Sequence, residues 1–180
     1  MSQLIDRMIR AARLDVTLYE EVEADRTATP QAMQAVVLSS IAAGLGNIAF
    51  GGIFGLFIGI IAALLGWYIW AFVTYYVGTK LLPEPQTKAD LGELLRTIGF
   101  SSSPGVLRIA GIVPVLGWII SFAASIWMLV AMIIAVRQAL DYTSTGRAIA
   151  VCVIGFIAYI IVFSIIVAIP AMFGVAVGGA

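Results

Sequence analysis

The run TATPQAMQAVVLSSIAAGLGNIAFGGIFGLFIGIIAALLGWYIWAFVTYYVGT, residues 27–79, holds no charged side chain. Its reading decides the fold. An uncharged apolar stretch of about 18 or more residues is a candidate membrane span, and this one has room for two. Asn47 and Gly51-Gly52 break it with turn-forming residues, which gives spans over 30–46 and 52–77. Thr29-Pro30 predicts a helix start, with Thr29 as N-cap and Pro30 where a missing N–H is harmless. Trp67, Tyr68, Trp70, Tyr75 and Tyr76 close the second span, and such rings favour the lipid–water boundary.

Two further uncharged stretches follow, 109–136 and 148–180. The chain is 62% hydrophobic and 11% charged, where a soluble domain is roughly 25% charged. The expectation is an all-α integral membrane protein. A formal net charge of zero gives no argument for a nucleic-acid partner, and none is expected. Histidine is absent and Cys152 is the single cysteine. An internal disulfide is therefore excluded, and zinc or haem would lack its usual ligands. No cofactor and no metal are expected. All ten acids lie in surface segments, so no nucleophile–base set can be assembled, and catalysis is not expected. No signal peptide is expected either, because the first apolar run begins near Ala32, after four arginines and six acids.

Before the spans, Leu4, Ile5, Met8, Ile9 and Ala12 recur at helical spacing while Arg7, Arg10 and Arg13 fall largely off that face. This predicts a short amphipathic helix, lying in the membrane interface or packed on the protein's own spans. The acidic segment Tyr19, Glu20, Glu21, Val22, Glu23, Ala24, Asp25 follows. Residues 1–29 thus form a cytoplasmic unit, 30–170 a membrane domain and 171–180 a tail.

The segment 90–113 decides the topology. Asp90 and Glu93 read as a capping box, and Ser101-Ser102-Ser103-Pro104-Gly105 breaks the helix they open. Ser103-Pro104 is placed to cap and restart it. At 1.5 Å per residue the segment reaches about 36 Å, enough to cross. If it crosses with the N-terminus inside, nine of ten basic residues lie on the cytoplasmic side, and the outer loops have none. The prediction is five transmembrane helices, 30–46, 52–77, 90–113, 115–136 and 147–169, the third broken. The N-terminus is inside and the C-terminus outside a bacterial cytoplasmic membrane. A re-entrant third segment is the alternative.

Three groups of residues are candidates for function. Gly51, Gly55 and Gly59, with Ala63 next, make a smooth stripe on the second span, suited to close helix packing. That packing is either within the chain or a seam with another copy or subunit. Arg108 is the one basic residue placed inside the membrane, where an arginine costs about 2.5–3.5 kcal/mol on insertion scales. With Ser101, Ser102 and Ser103 it forms an intramembrane polar site. It could snorkel to headgroups, bond backbone carbonyls, or bind an anionic lipid or ligand. The acidic residues Glu20, Glu21, Glu23 and Asp25, with Tyr19, are either a solvated strip or a docking site for a cytoplasmic partner.

The pieces in order resemble a known family. They are Tyr19 to Asp25, Gly66-Trp67, Gly78-Thr79-Lys80-Leu81-Leu82, Leu95-Arg96-Thr97-Ile98-Gly99-Phe100, Ser103-Pro104-Gly105-Val106-Leu107-Arg108, Gly111-x-x-Pro114, Arg137-Gln138-Ala139-Leu140-Asp141 and Thr145-Gly146-Arg147. Together they resemble the prokaryotic branch of the Yip-domain family, named for eukaryotic members that interact with Ypt/Rab GTPases. The resemblance implies five spans, a cytoplasmic N-terminus and binding of partners without enzyme chemistry. The Asp-Leu-x-Gly-Pro motif of eukaryotic members is missing, so GTPase binding is not carried over. The expected role is a non-catalytic membrane interaction or scaffold protein that contacts the bilayer and other membrane subunits or itself. A small transporter or lipid-binding protein using the broken third helix is the alternative.

Overall fold

A computed structural model describes residues 2–113 and 115–172, and every element among them is helical. The predicted tail therefore lies outside the described residues from 173 onward, as does Pro114. The helices are α1 (Ser2–Ala12), α2 (Val16–Ala24), α3 (Thr29–Gly46), α4 (Ile48–Tyr76), α5 (Leu91–Ser101), α6 (Leu116–Ala139) and α7 (Thr145–Met172). A 3-10 turn, Arg26–Ala28, leads into α3. A π-helical turn, Val77–Leu81, ends α4. A 3-10 stretch, Ser103–Ile112, continues from α5.

Two helical runs, Gly51–Leu81 and Leu116–Ala139, are long and apolar enough to cross a membrane. Burial separates them from the core helices of a water-soluble protein. Only 6% of the most apolar window of the first is buried, and 22% of the second. Phe54 is 75% exposed, Ile53 70% and Trp118 73%. A surface carrying this much contiguous apolar area has hydrocarbon as its solvent. The chain is a membrane protein.

Local chemistry sets the element boundaries. The expected capping box is formed: Asp90 Oδ1 accepts from the Glu93 N–H at 2.9 Å, and Glu93 Oε2 accepts from the Asp90 N–H at 2.7 Å. Gly52 takes φ 57°, ψ −168°, which breaks the helical path, so α4 is regular from residue 53, close to the predicted start. Thr29 does not cap α3. The turn before it begins at Asp25, whose side chain accepts from the Thr27 N–H, and it runs straight into the helix with Ala28 at the N-cap position. Ser103 does not cap the 3-10 stretch either, because its hydroxyl donates back to the Phe100 carbonyl at 2.6 Å.

The acidic segment expected as an irregular strip is largely helix α2. Asp15 caps it, and Leu18, Tyr19 and Val22 form its buried face. Together with Ala11, Ala32, Phe100 and Ala135 they build a core joining the N-terminal hairpin to the membrane helices. A second core lies nearer the α6–α7 turn, around Leu94, Val136, Leu140 and Val151. Tyr142, in that turn, donates its hydroxyl to the carbonyls of Leu82 at 2.7 Å and Gly78 at 3.0 Å. It thereby serves acceptors beside the π-helical turn.

Candidate functional site

Two polar regions stand out, one in the membrane domain and one in the N-terminal hairpin. The first centres on Arg108. The third segment is held so closely on α3 that glycines are required at the crossing. A Cβ on Gly46 would lie 2.1 Å from the Arg108 carbonyl oxygen, and one on Gly105 would lie 2.0 Å from Ser39 Oγ. Gly111 likewise meets the Gly46 backbone. With its backbone fixed, Arg108 sends Nη2 to Ser125 Oγ on α6 at 3.0 Å. Ser125 donates its own proton to the Ser121 carbonyl at 2.9 Å, so it is free to accept. Arg108 makes no ion pair among the described residues, and its hydrogen-bond partner among them is the neutral hydroxyl of Ser125.

Ser101, Ser102 and Ser103 use their hydroxyls on their own helix. They donate to the carbonyls of Ile98, Gly99 and Phe100 at 2.7, 2.7 and 2.6 Å. Back-bonding of this kind satisfies and bends a helix end in lipid. Ser101 and Ser102 still line a cavity of about 590 Å3 together with Arg108, Ser125, Trp70 and Tyr159. The indole Nε1 of Trp70 is buried and finds no acceptor among the described residues, and neither does Thr74 Oγ1 one turn along α4.

The glycine stripe is placed differently from the packing glycines. At Gly51, Gly55 and Gly59 an added Cβ would meet nothing within 4 Å. Among the described residues, nothing packs against these three positions. Glycines that do mediate packing include Gly46, Gly99, Gly105, Gly111 and Gly117, each with a neighbouring atom under 3.0 Å from the Cβ position. Ala63 continues the stripe and is half-buried.

In the N-terminal hairpin, Arg7 is buried. Its guanidinium reaches Asp25 at 2.8 Å, Glu21 at 2.9 Å and Gln31 at 3.1 Å, and so ties α1 to α2 and α3. Arg10 pairs with Glu21 at 2.7 Å and Asp15 at 2.9 Å. The hydroxyl of Thr17, then Arg10, hold Asp15 down at about 2, and Glu21 and Asp25 are also lowered by their hydrogen bonds. Tyr19 is fully buried, and burial raises its pKa. Of the five acidic-segment candidates, Glu20 and Glu23 make no ion pair among the described residues; Glu20 is exposed and accepts from Gln138 Nε2 at 3.0 Å, and Glu23 is half-buried. They line a second cavity, of about 830 Å3, with Glu93, Arg137 and Asp141. Burial first, then Asp141, Glu93 and Glu20, push Glu23 up to about 7.

Arg96 is the residue that the sequence did not single out. It is 4% exposed and donates Nε to the Val22 carbonyl at 2.8 Å and Nη2 to the Glu23 carbonyl. Its one sequence signal is position: it stands within an otherwise uncharged run, Leu94 to Leu107, with Glu93 one turn earlier.

A helical membrane domain with an apolar exterior, carrying a docked N-terminal hairpin, defines a polytopic membrane protein with no recognisable catalytic set among the described residues. The chain belongs to the Yip1 domain family, which it matches over residues 23–174. No curated protein and no solved structure matches it.

Proposed function

We propose that this chain is a non-catalytic interaction or scaffold protein of the prokaryotic Yip branch, in the bacterial cytoplasmic membrane. The reading has five spans, with α3, α4, the α5–3-10 unit, α6 and α7 crossing, the N-terminus inside and the C-terminus outside. Its partners are lipid and other membrane subunits or further copies of itself, with no nucleic acid and no cofactor. The observation that carries it is the uncovered stripe on α4. Gly51, Gly55 and Gly59 offer a second helix close approach in a medium where packing drives association, and nothing among the described residues occupies it. On the cytoplasmic side Glu20 and Glu23 are the acids left to meet a partner. Native mass measurement of the mildly solubilised protein tests the reading. A particle heavier than one chain, reduced to a single chain by Gly55→Leu, is expected. A clean single chain at native expression overturns it.

A second reading, a lipid-binding protein, is favoured by the cavity at the break in the third segment, where Arg108 stands without a counter-charge among the described residues. Retention of lipid by the purified chain through gentle detergent exchange tests it.

A further inference from the structure

Arg108 and Trp70 bring two hydrogen-bond donors to one cavity in the membrane domain, and neither meets an anion there. The cavity, about 590 Å3, lies between α4, the third segment, α6 and α7. Its size is that of small-molecule sites, roughly 300–1,000 Å3. A guanidinium carries five N–H donors, and Arg108 places one hydrogen bond, on Ser125, among the described residues. The indole Nε1 of Trp70 is buried with no acceptor among them. Ser101 and Ser102 have committed their protons to their own backbone. Hydrocarbon offers no acceptor to either unsatisfied group. A negatively charged oxygen satisfies the guanidinium, and charge-assisted bonds to it are the strong ones; Trp70, in the wall of the same cavity, supplies the second unpaired donor.

The rest of the wall sets the other half of the ligand. Met128, Leu129, Met132 and Phe156 are apolar and adaptable, which suits a hydrocarbon chain. Arg108 and Ser125 also line a neighbouring cavity of about 310 Å3 with Asn47, Ser121 and Trp118, a polar approach from the α3–α4 turn. The arginine is pre-positioned, because its own carbonyl is packed on Gly46.

We infer that this cavity binds the anionic head of an amphiphile, a phosphate or carboxylate, on Arg108 and the Trp70 indole, with its chain along Met128, Met132 and Phe156. The inference rests on the lipid-binding reading and adds the charge of the ligand and the residues that select it.

The test is titration of the full chain with phosphatidylglycerol and with phosphatidylcholine, read by native mass spectrometry. Phosphatidylglycerol is expected to bind more tightly by about ten- to hundredfold, the scale of a charge-assisted bond. Arg108→Gln should abolish that preference, and Arg108→Lys should keep part of it. Trp70→Phe, which keeps a ring and loses the donor, should weaken phosphatidylglycerol alone, and it stays informative if Arg108→Gln does not fold. Equal binding of the two lipids by the wild-type chain, or a preference unchanged in Arg108→Gln and Trp70→Phe, overturns the anion site while the lipid-binding reading stands. No retention of either lipid removes both. Displacement of phosphatidylglycerol by an equal concentration of inorganic phosphate overturns the amphiphile assignment and leaves a free-anion site.

Discussion

Arg96, one turn and a half into α5, donates its Nε to the carbonyl of Val22 in the last turn of α2 at 2.8 Å. The last carbonyls of a helix have no partner within it, and a cation there also complements the helix dipole. One buried side chain therefore closes the N-terminal hairpin onto α5. Arg96→Met leaves the Val22 and Glu23 carbonyls without their donor, a loss of about 2 kcal/mol. The expected outcome is faster cleavage in the 13–28 region by a soluble protease while the membrane helices stay protected. Unchanged cleavage would show that Arg7 and its acids suffice to hold the hairpin.

Glu23 predicts a pH dependence of its own. Its folded-state pKa is raised from 4.5 to about 7. The protonated form is the one the fold favours, so the contribution is fully present below 4.5 and is lost as pH rises through 7. The groups facing it are Glu20 on α2, Glu93 and Arg96 on α5, and Asp141 after α6. Asp15, held at about 2, acts in the opposite sense and loses its contribution as pH falls below 3.8. Thermal unfolding of Glu23→Gln between pH 5 and 8 should be flatter than wild type. A parallel pair of curves would remove Glu23 as the source.

The two sets of glycines should respond oppositely to alanine. At Gly46 the new methyl would meet a backbone oxygen at 2.1 Å, which cannot swing aside. Overpacking of this kind costs about 1–3 kcal/mol. At Gly55 there is open space, and alanine is the better helix former by up to about 1 kcal/mol. Gly46→Ala is expected to lower the melting temperature of the solubilised chain, and Gly55→Ala to leave it level or raise it.

Tyr142→Phe removes a proton shared by two carbonyls beside the π-helical turn and leaves the ring in place. A loss of about 1 kcal/mol is expected, with faster amide exchange in residues 77–82. If exchange there is unaltered, the turn is held by the α4 backbone alone.

How far the fold could be read from residues depended on the physics at each point. The charge-free run 27–79 and the Asp90–Glu93 box are local signals, and both elements lie where they place them. Helix α2 is less legible, because its run of acids reads as a solvated strip although Leu18, Tyr19 and Val22 follow helical spacing. The burial of Arg7 and Arg96 is not legible at all, because it depends on carboxylates and carbonyls distant in sequence. Gly51, Gly55 and Gly59 form a visible period, whereas Gly46, Gly105 and Gly111 form none. Their requirement comes from one backbone crossing another, which no repeat within a single segment encodes.

That crossing also assigns mobility. With α3 and the third segment locked main chain to main chain, they can travel only as one body. Gly117 locks α6 to the same segment, since a Cβ there would lie 2.2 Å from the Ala110 carbonyl oxygen, so widening of the chamber beside Arg108 must fall to α7. Paired spin labels should report a distance change from α3 to the first half of α7 on ligand addition, and a fixed one from α3 to residues 103–112.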